Sequence, residues 1–370
     1  MDENSQFIHA DHFSETALKA ALSGLGISQV QLLETCLHAF ELLGRLSGSG
    51  LPFLFKGGTS LLLHTAILRR ISTDIDIVTP VKGEELLQTL RELAVGEPFV
   101  LFNEQDRGLR GLPNRRHFRY YYRPVSEPTT SIPVLLDVVE DDFSSLQVEE
   151  RVIAQPWFTP TRESKVTIQT AASLLGDKLA AFAPRTTGVP YVKPDGSGGD
   201  LLQIAKQFYD TAILFDLVEK PSDCLRAWRE HVKRESAYRS REFAEAEVLR
   251  DTFQACLAIT MVNFGRRIHA DSTTIWRGIG SLVNHVAGGS LSHQQVFEMA
   301  GKVAFLAAVL GSVSPEAHSN PVPPGELSAL KGLKIGGGLQ FLNPVGGASP
   351  LGLFYWSEAA KLAPETWIKA

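Results

Sequence analysis

Asp74 and Asp76, two residues apart in the run Asp-Ile-Asp-Ile-Val, are the side chains of this sequence best placed for chemistry. If the run is a strand, its period of two puts both carboxylates on one face and Ile75 and Ile77 on the other. Like charges held side by side repel unless a cation or solvent separates them. Hard divalent ions such as Mg²⁺ favour oxygen ligands of this kind. A third carboxylate, Asp137, sits in the apolar run Ile-Pro-Val-Leu-Leu-Asp-Val-Val, a strand expected beside that of Asp74. A charge in such a run is costly to bury unless it is paired or metal-bound. Three carboxylates on neighbouring strands are able to hold two Mg²⁺ ions about 4 Å apart and stabilise the attacking and leaving oxygens of a phosphoryl displacement. Glu140, Asp141 and Asp142 follow closely and compete for the third place. A solvated strand edge is the alternative reading of the pair.

Upstream stands Lys-Gly-Gly-Thr-Ser, residues 56–60, between a short apolar strand at Phe53–Phe55 and a helix expected over Ser60–Leu68. Glycine at such a junction permits a tight turn and close approach of a ligand to the backbone. Unpaired N–H groups at the helix start suit phosphate oxygens. An ordinary capped helix start fits the same residues.

The elements that must position these groups follow from periodicity. Two helices lead in: one begins after Ser14 and breaks at Gly24–Gly26, and one runs from Val30 to Leu46. Strands are expected at Asp74–Val78, Arg116–Tyr122 and Ile132–Val139, with a helix at Glu84–Leu93, an alternation that argues for an α/β or α+β sheet domain. From about Thr167 the pattern turns helical, with segments near 168–183, 200–218, 221–235, 240–262 and 291–311 interrupted by a loop at 185–199. The expected organisation is a lead-in at 1–50, a core at 51–165, a helical domain at 166–320 and a Gly/Pro-rich segment at 321–370.

Gly-Gly-Thr-Ser followed by Arg70-x-Ser72-x-Asp74-x-Asp76 resembles the nucleotidyltransferase fold shared with DNA polymerase β. More closely it resembles the AbiEii/AbiGii toxin family of bacterial abortive-infection and toxin–antitoxin systems. Members of that family also carry a lysine on a downstream helix and an aspartate on the next; here Lys178 and Asp210 match. A second family aspartate, three residues before the latter, is replaced here by Gln207. The resemblance covers roughly residues 50–220. It implies a polymerase β-like sheet domain followed by a mainly helical one, and a Mg²⁺-dependent toxin that transfers a nucleotide from a nucleoside triphosphate to RNA, several relatives acting on the tRNA 3′ end. By that similarity Lys56, Gly57, Gly58, Thr59, Ser60 and Ser72 would bind the nucleotide. Asp74, Asp76 and Asp137 would bind metal, Lys178 would neutralise the triphosphate, and Asp210 would orient it or the incoming substrate. Read alone, Lys178 could snorkel to solvent, and Asp210 could pair with Lys206 one turn away. A winged-helix antitoxin is the implied partner.

Residues 107–123 carry six arginines, His117 and four aromatics. Arg119, Tyr121 and Arg123 alternate against Phe118, Tyr120 and Tyr122, and arginine interleaved with tyrosine suits RNA backbone contact and base stacking. Arg115, Arg116, Arg119 and Arg123 are therefore the candidate RNA contacts; a solvated sheet face balancing the acidic stretch at 140–150 is the alternative. His9 and His12 lack a second ligand pair and read as surface residues.

Composition sets the bounds. The 370 residues have 21% charged and 44% hydrophobic residues and a net charge of −5, so the chain is globular and no general nucleic-acid coat. Three widely spaced cysteines fit a reduced compartment without a disulfide frame. No apolar run approaches the roughly 18 residues of a membrane span. A cytoplasmic nucleotidyltransferase is the expectation. Nucleotidylation of a protein or small molecule, or an inactive nucleotidyltransferase scaffold that binds a partner, are the rival readings.

Overall fold

Helix formation in the lead-in follows its caps and its apolar stripe. In the computed structural model, which describes residues 6–105, 114–193, 195–261 and 272–368, α1 (Glu15–Leu25) starts at Ser14, whose side chain accepts from Ala17 N, and stops at the left-handed Gly26. Helix α2 (Val30–Gly48) is buried from Leu33 to Leu46. Five polar residues along it, Glu34, Thr35, His38, Glu41 and Arg45, are buried with it and each finds a partner. Glu41 accepts from the backbone N–H groups of Phe7 and Ile8 at 2.9 and 2.7 Å and from Arg45 Nε at 2.8 Å. Arg45 donates to the carbonyls of Leu93 and Val95, and Glu34 accepts from Val125 N. Buried polar groups satisfied in this way tie loops to the helix rather than weaken the core.

The sheet follows in sequence as β1 (Leu54–Lys56), α3 (Gly57–Ser60), β2 (Ile75–Thr79), α4 (Gly83–Glu92), β3 (Phe99–Gln105), β4 (Asn114–Tyr122), β5 (Ile132–Glu140), β6 (Val148–Val152) and β7 (Lys165–Gln169). The strand order is β3-β4-β5-β2-β1-β7-β6. Strands β2 and β5 pair parallel, as do β1 and β7, and the other neighbours are antiparallel. One sheet face carries Phe55, Ile75, Ile77, Phe118, Tyr120, Tyr122, Val134, Leu136 and Val138, which form a single core with the apolar residues of α1, α2 and α4. Burial of large side chains on this face is the main force that fixes register, because a one-residue slip would turn the whole set outward.

The second half is helical: α5 (Ala171–Ala181), α6 (Leu201–Phe215), α7 (Leu225–Tyr238), α8 (Glu245–Met261), α9 (Ser272–Leu282), α10 (His293–Leu310), α11 (Val345–Ala348) and α12 (Pro350–Ala360). Helix α10 packs on α6, α8 and α12, and α5 packs on α6 and α7. Two compact units result. One contains residues to Thr170 together with Asn284–Ser290; the other contains Ala171–Val283 and the chain from Leu291. No helix among the described residues is long and apolar enough to cross a membrane.

The fold is α+β, as the pattern implied, but several elements differ from the expectation. The helix expected over Ser60–Leu68 is a single α-turn followed by a 3₁₀ turn at Leu61–Leu63. The expected helix near 168 starts only at Ala171, because Lys165–Gln169 pairs with β1 and β6. Helix 221–235 opens as a 3₁₀ turn at Pro221–Cys224 and continues to Tyr238. Strands β3 and β6 carry largely exposed residues and so lack the apolar alternation that would announce them.

Candidate active site

The second sheet face carries the polar residues, and they fall into one row. Lys56 on β1 lies opposite Asp76 on β2, and Asp76 opposite Asp137 on β5. Asp137 lies opposite His117 on β4, and His117 opposite Gln105 on β3. Directly opposed residues share a face, so five polar side chains cross five adjacent strands. Asp76 and Asp137 are half-buried while Ile75, Ile77, Leu136 and Val138 on the other face are buried. Asp74 stands just before β2, outside the strand, and is also half-buried. The three carboxylates are thus brought to one region, two by register and one by the chain entering β2.

Gly57 and Gly58 press on this row. Gly57 has φ +80°, and a Cβ there would lie 2.0 Å from Asp76 Oδ2. A Cβ on Gly58 would lie 2.5 Å from Arg70 Nη2 and 2.9 Å from Ser72 Oγ. Glycine is required at the first position by backbone conformation and space together. The two hydroxyls of the turn face inward. Thr59 Oγ1 donates to Asp74 O at 2.5 Å and Ser60 Oγ to Gly57 O at 2.9 Å, and both residues are fully buried. They hold the turn against the Asp74 segment, which leaves the main chain of Gly57 and Gly58 as its most accessible part. Arg70 is buried and donates to Ile71 O.

The donor set of Asp74 and Asp76, with Asp137 beside them, is all oxygen and suits a hard divalent cation. Among the described residues, however, no group of three or more His, Cys, Asp or Glu side chains is gathered closely enough to hold one ion. Asp137 is engaged instead by His117, whose Nδ1 lies 2.7 Å from Oδ1. His117 was read only as part of the basic stretch; its placement opposite Asp137 depends on the β4–β5 register.

The arginines divide between the faces. Arg115 and Arg119 alternate with His117 and share the face of Asp137, and Arg123 is exposed just past the end of β4. Hydrogen bonds from Asn103 and then Arg119 hold the Tyr121 phenol below its usual range. Arg116 departs from the expected set. It lies on the opposite face, where Nε and Nη2 donate to Glu104 at 2.7 and 2.8 Å and Nη1 donates to Gly83 O. Glu104 and Glu140 raise its pKa further. Arg107 and Arg110 lie outside the described residues.

In the helical unit, Lys178 on α5 and Asp210 on α6 form an ion pair at 3.4 Å, with side chains 7% and 0% exposed. Lys178 therefore does not snorkel. Gln207, one turn before Asp210, buries an Oε1 that meets no donor among the described residues.

The sequence model of the nucleotidyl transferase AbiEii toxin family, a type IV toxin–antitoxin system, matches residues 41–264. The chain belongs to this family. As an AbiEii protein it is a nucleotidyltransferase toxin, with a nucleoside triphosphate as substrate and an antitoxin as the partner that the system implies. No curated protein matches it significantly. Solved structures similar to this AbiEii chain include JHP933 from Helicobacter pylori, at 15% identity and TM-score 0.40, covering 77% of this chain and 93% of that one. Another is MenT4, a nucleotidyltransferase toxin from Mycobacterium tuberculosis H37Rv, at 17% identity and TM-score 0.43, covering 82% and 91%.

Proposed function

We propose that this AbiEii toxin transfers a nucleotide from a nucleoside triphosphate to RNA, with the tRNA 3′ end as the acceptor, in the cytoplasm and under control of a winged-helix antitoxin. The observation that carries the catalytic part is the Asp76–Asp137 register on adjacent parallel strands, with Asp74 immediately before β2. Asp74, Asp76 and Asp137 are the assigned metal ligands. A divalent cation held by these carboxylates would supply charge neutralisation of the phosphoryl oxygens. Lys56, Gly57, Gly58, Thr59, Ser60 and Ser72 form the nucleotide seat, the two hydroxyls by shaping the turn and the main chain by approaching the ligand. By the family resemblance Lys178 and Asp210 are assigned as the triphosphate's cation and its orienting partner; within the helical unit they pair with each other.

The acceptor reading rests on Arg115, Arg119 and Arg123, three cations presented along or beside the strand that carries His117. Arg116, held by two glutamates, is left out of it. Incubating the protein with each labelled nucleoside triphosphate and total RNA tests the whole reading. Label on a tRNA-sized RNA is the expected result, and label on protein or on a small molecule alone would sink the RNA acceptor. A second measurement tests the arginines. Binding to single-stranded RNA should weaken by about 0.7 log units per log unit of salt for each phosphate neutralised. Arg115→Gln/Arg119→Gln should flatten that slope and Arg116→Gln should not.

A further inference from the structure

The row across the sheet contains two buried polar atoms that no contact explains. His117 is 9% exposed and its Nε2 meets no hydrogen-bond partner among the described residues. Gln105, directly opposite on β3, buries an Oε1 that also meets none. Such atoms are uncommon in native interiors and call for a reason. On its other side the ring is fixed. An ionised carboxylate only accepts hydrogen bonds, so Nδ1, 2.7 Å from Asp137 Oδ1, carries a hydrogen and donates it.

We propose that His117 is a positioning residue for the third carboxylate, holding Asp137 through Nδ1–H. A strand-borne aspartate keeps two rotatable bonds, and a carboxyl that must meet a cation or a reacting oxygen gains from having them fixed beforehand. Partners of this kind behind a metal-facing group are worth about 10- to 100-fold in activity or affinity when removed. The inference rests on the assignment of Asp137 as a site carboxylate.

The wild-type protein without metal or nucleotide gives the first test. In ¹⁵N-labelled protein, the His117 ring should show a hydrogen on Nδ1, with a signal that moves in Asp137→Asn; a ring bare at Nδ1 would overturn the proposal. Kinetics give the second. His117→Ala should lower kcat for nucleotide transfer to total RNA by about 10- to 100-fold and raise the Mg²⁺ concentration for half-maximal rate, while the KM for the nucleoside triphosphate stays within about threefold. His117→Asn, whose amide nitrogen overlays Nδ1, should recover most of the loss, whereas His117→Gln, which places its nitrogen near Nε2, should not. Rescue by Gln and not by Asn, or a His117→Ala enzyme equal to wild type, would refute the assignment of His117. If Asp137→Asn itself is fully active, the fault lies with the third carboxylate and not with the residue behind it.

Discussion

The two units hold their charged groups in opposite ways. On the sheet, Asp74, Asp76 and Asp137 are half-buried, set by strand register and the entry into β2, with an oxygen-rich face left partly open to solvent. Between α5 and α6, Lys178 and Asp210 are sealed and paired with each other. Half-open carboxylates keep part of their hydration, so removing one charge relieves repulsion and costs the fold little. A sealed pair has given up its hydration, so removing one partner weakens the compensation of a buried charge and costs the fold. Function and stability should therefore separate in the first region and travel together in the second.

The largest expected effect breaks that comparison if it fails. Asp76→Asn or Asp74→Asn should reduce transfer below detection while leaving the melting temperature unchanged or slightly higher. Near-normal Mg²⁺-dependent activity in either variant would remove these residues from the metal site. Gly57→Ala should come close behind in activity, since its Cβ would sit 2.0 Å from Asp76 Oδ2 at φ +80°. It should also cost about 1 kcal/mol or more in chemical denaturation because alanine disfavours that backbone conformation.

In the sealed region, Lys178→Ala should lower transfer strongly and also lower the melting temperature, because it removes one half of a buried ion pair. Lys178→Met/Asp210→Leu should regain much of the stability with no activity. Equal melting of Lys178→Ala and wild type would show that the pair is not sealed in solution.

The pH responses of the two units should also oppose one another. Burial of His38, stacked on Tyr122 at 3.6 Å, pushes its pKa down to about 3. The unfolded imidazole takes up a proton near its usual 6.5 and the folded one refuses it, so stability around α2 should be full above pH 6.5 and decline toward pH 3. Asp251 on α8 accepts from Arg185 N and Thr186 Oγ1, yet burial raises its pKa to about 6. Its contribution is present below the unfolded value near 4 and lost as pH rises through about 6, a swing of up to ~3 kcal/mol. Hydrogen exchange at α2 and α8 amides across pH 4–7 reads both, and His38→Gln and Asp251→Asn should each flatten the local trend.

Much of the site was legible in the sequence because short-range periodicity fixes it. Asp74-x-Asp76 beside buried isoleucines declared a strand and a polar face, the apolar run around Asp137 declared its neighbour, and Gly57-Gly58 declared a turn that only glycine permits. Lys178 and Asp210 came from a resemblance and lie on helices that periodicity had already placed. The exposed strands β3 and β6 were invisible because they lack an apolar face to alternate. The helix expected near 168–183 overlaps the end of strand β7, since five residues of mixed character do not distinguish the two periods.

Residue type and local spacing thus determined which side chains can ligate, turn and pair, because those properties reach only a few positions along the chain. Tertiary structure alone decided which of them meet. The β4–β5 register put His117 on Asp137 and, by the same alternation, turned Arg116 to the far face against Glu104 and Glu140. Register is set by fitting Phe118, Tyr120 and Tyr122 into a core shared with α2 and α4, a condition spread over residues far apart in sequence. The polar row is a consequence of packing on the opposite side of the sheet.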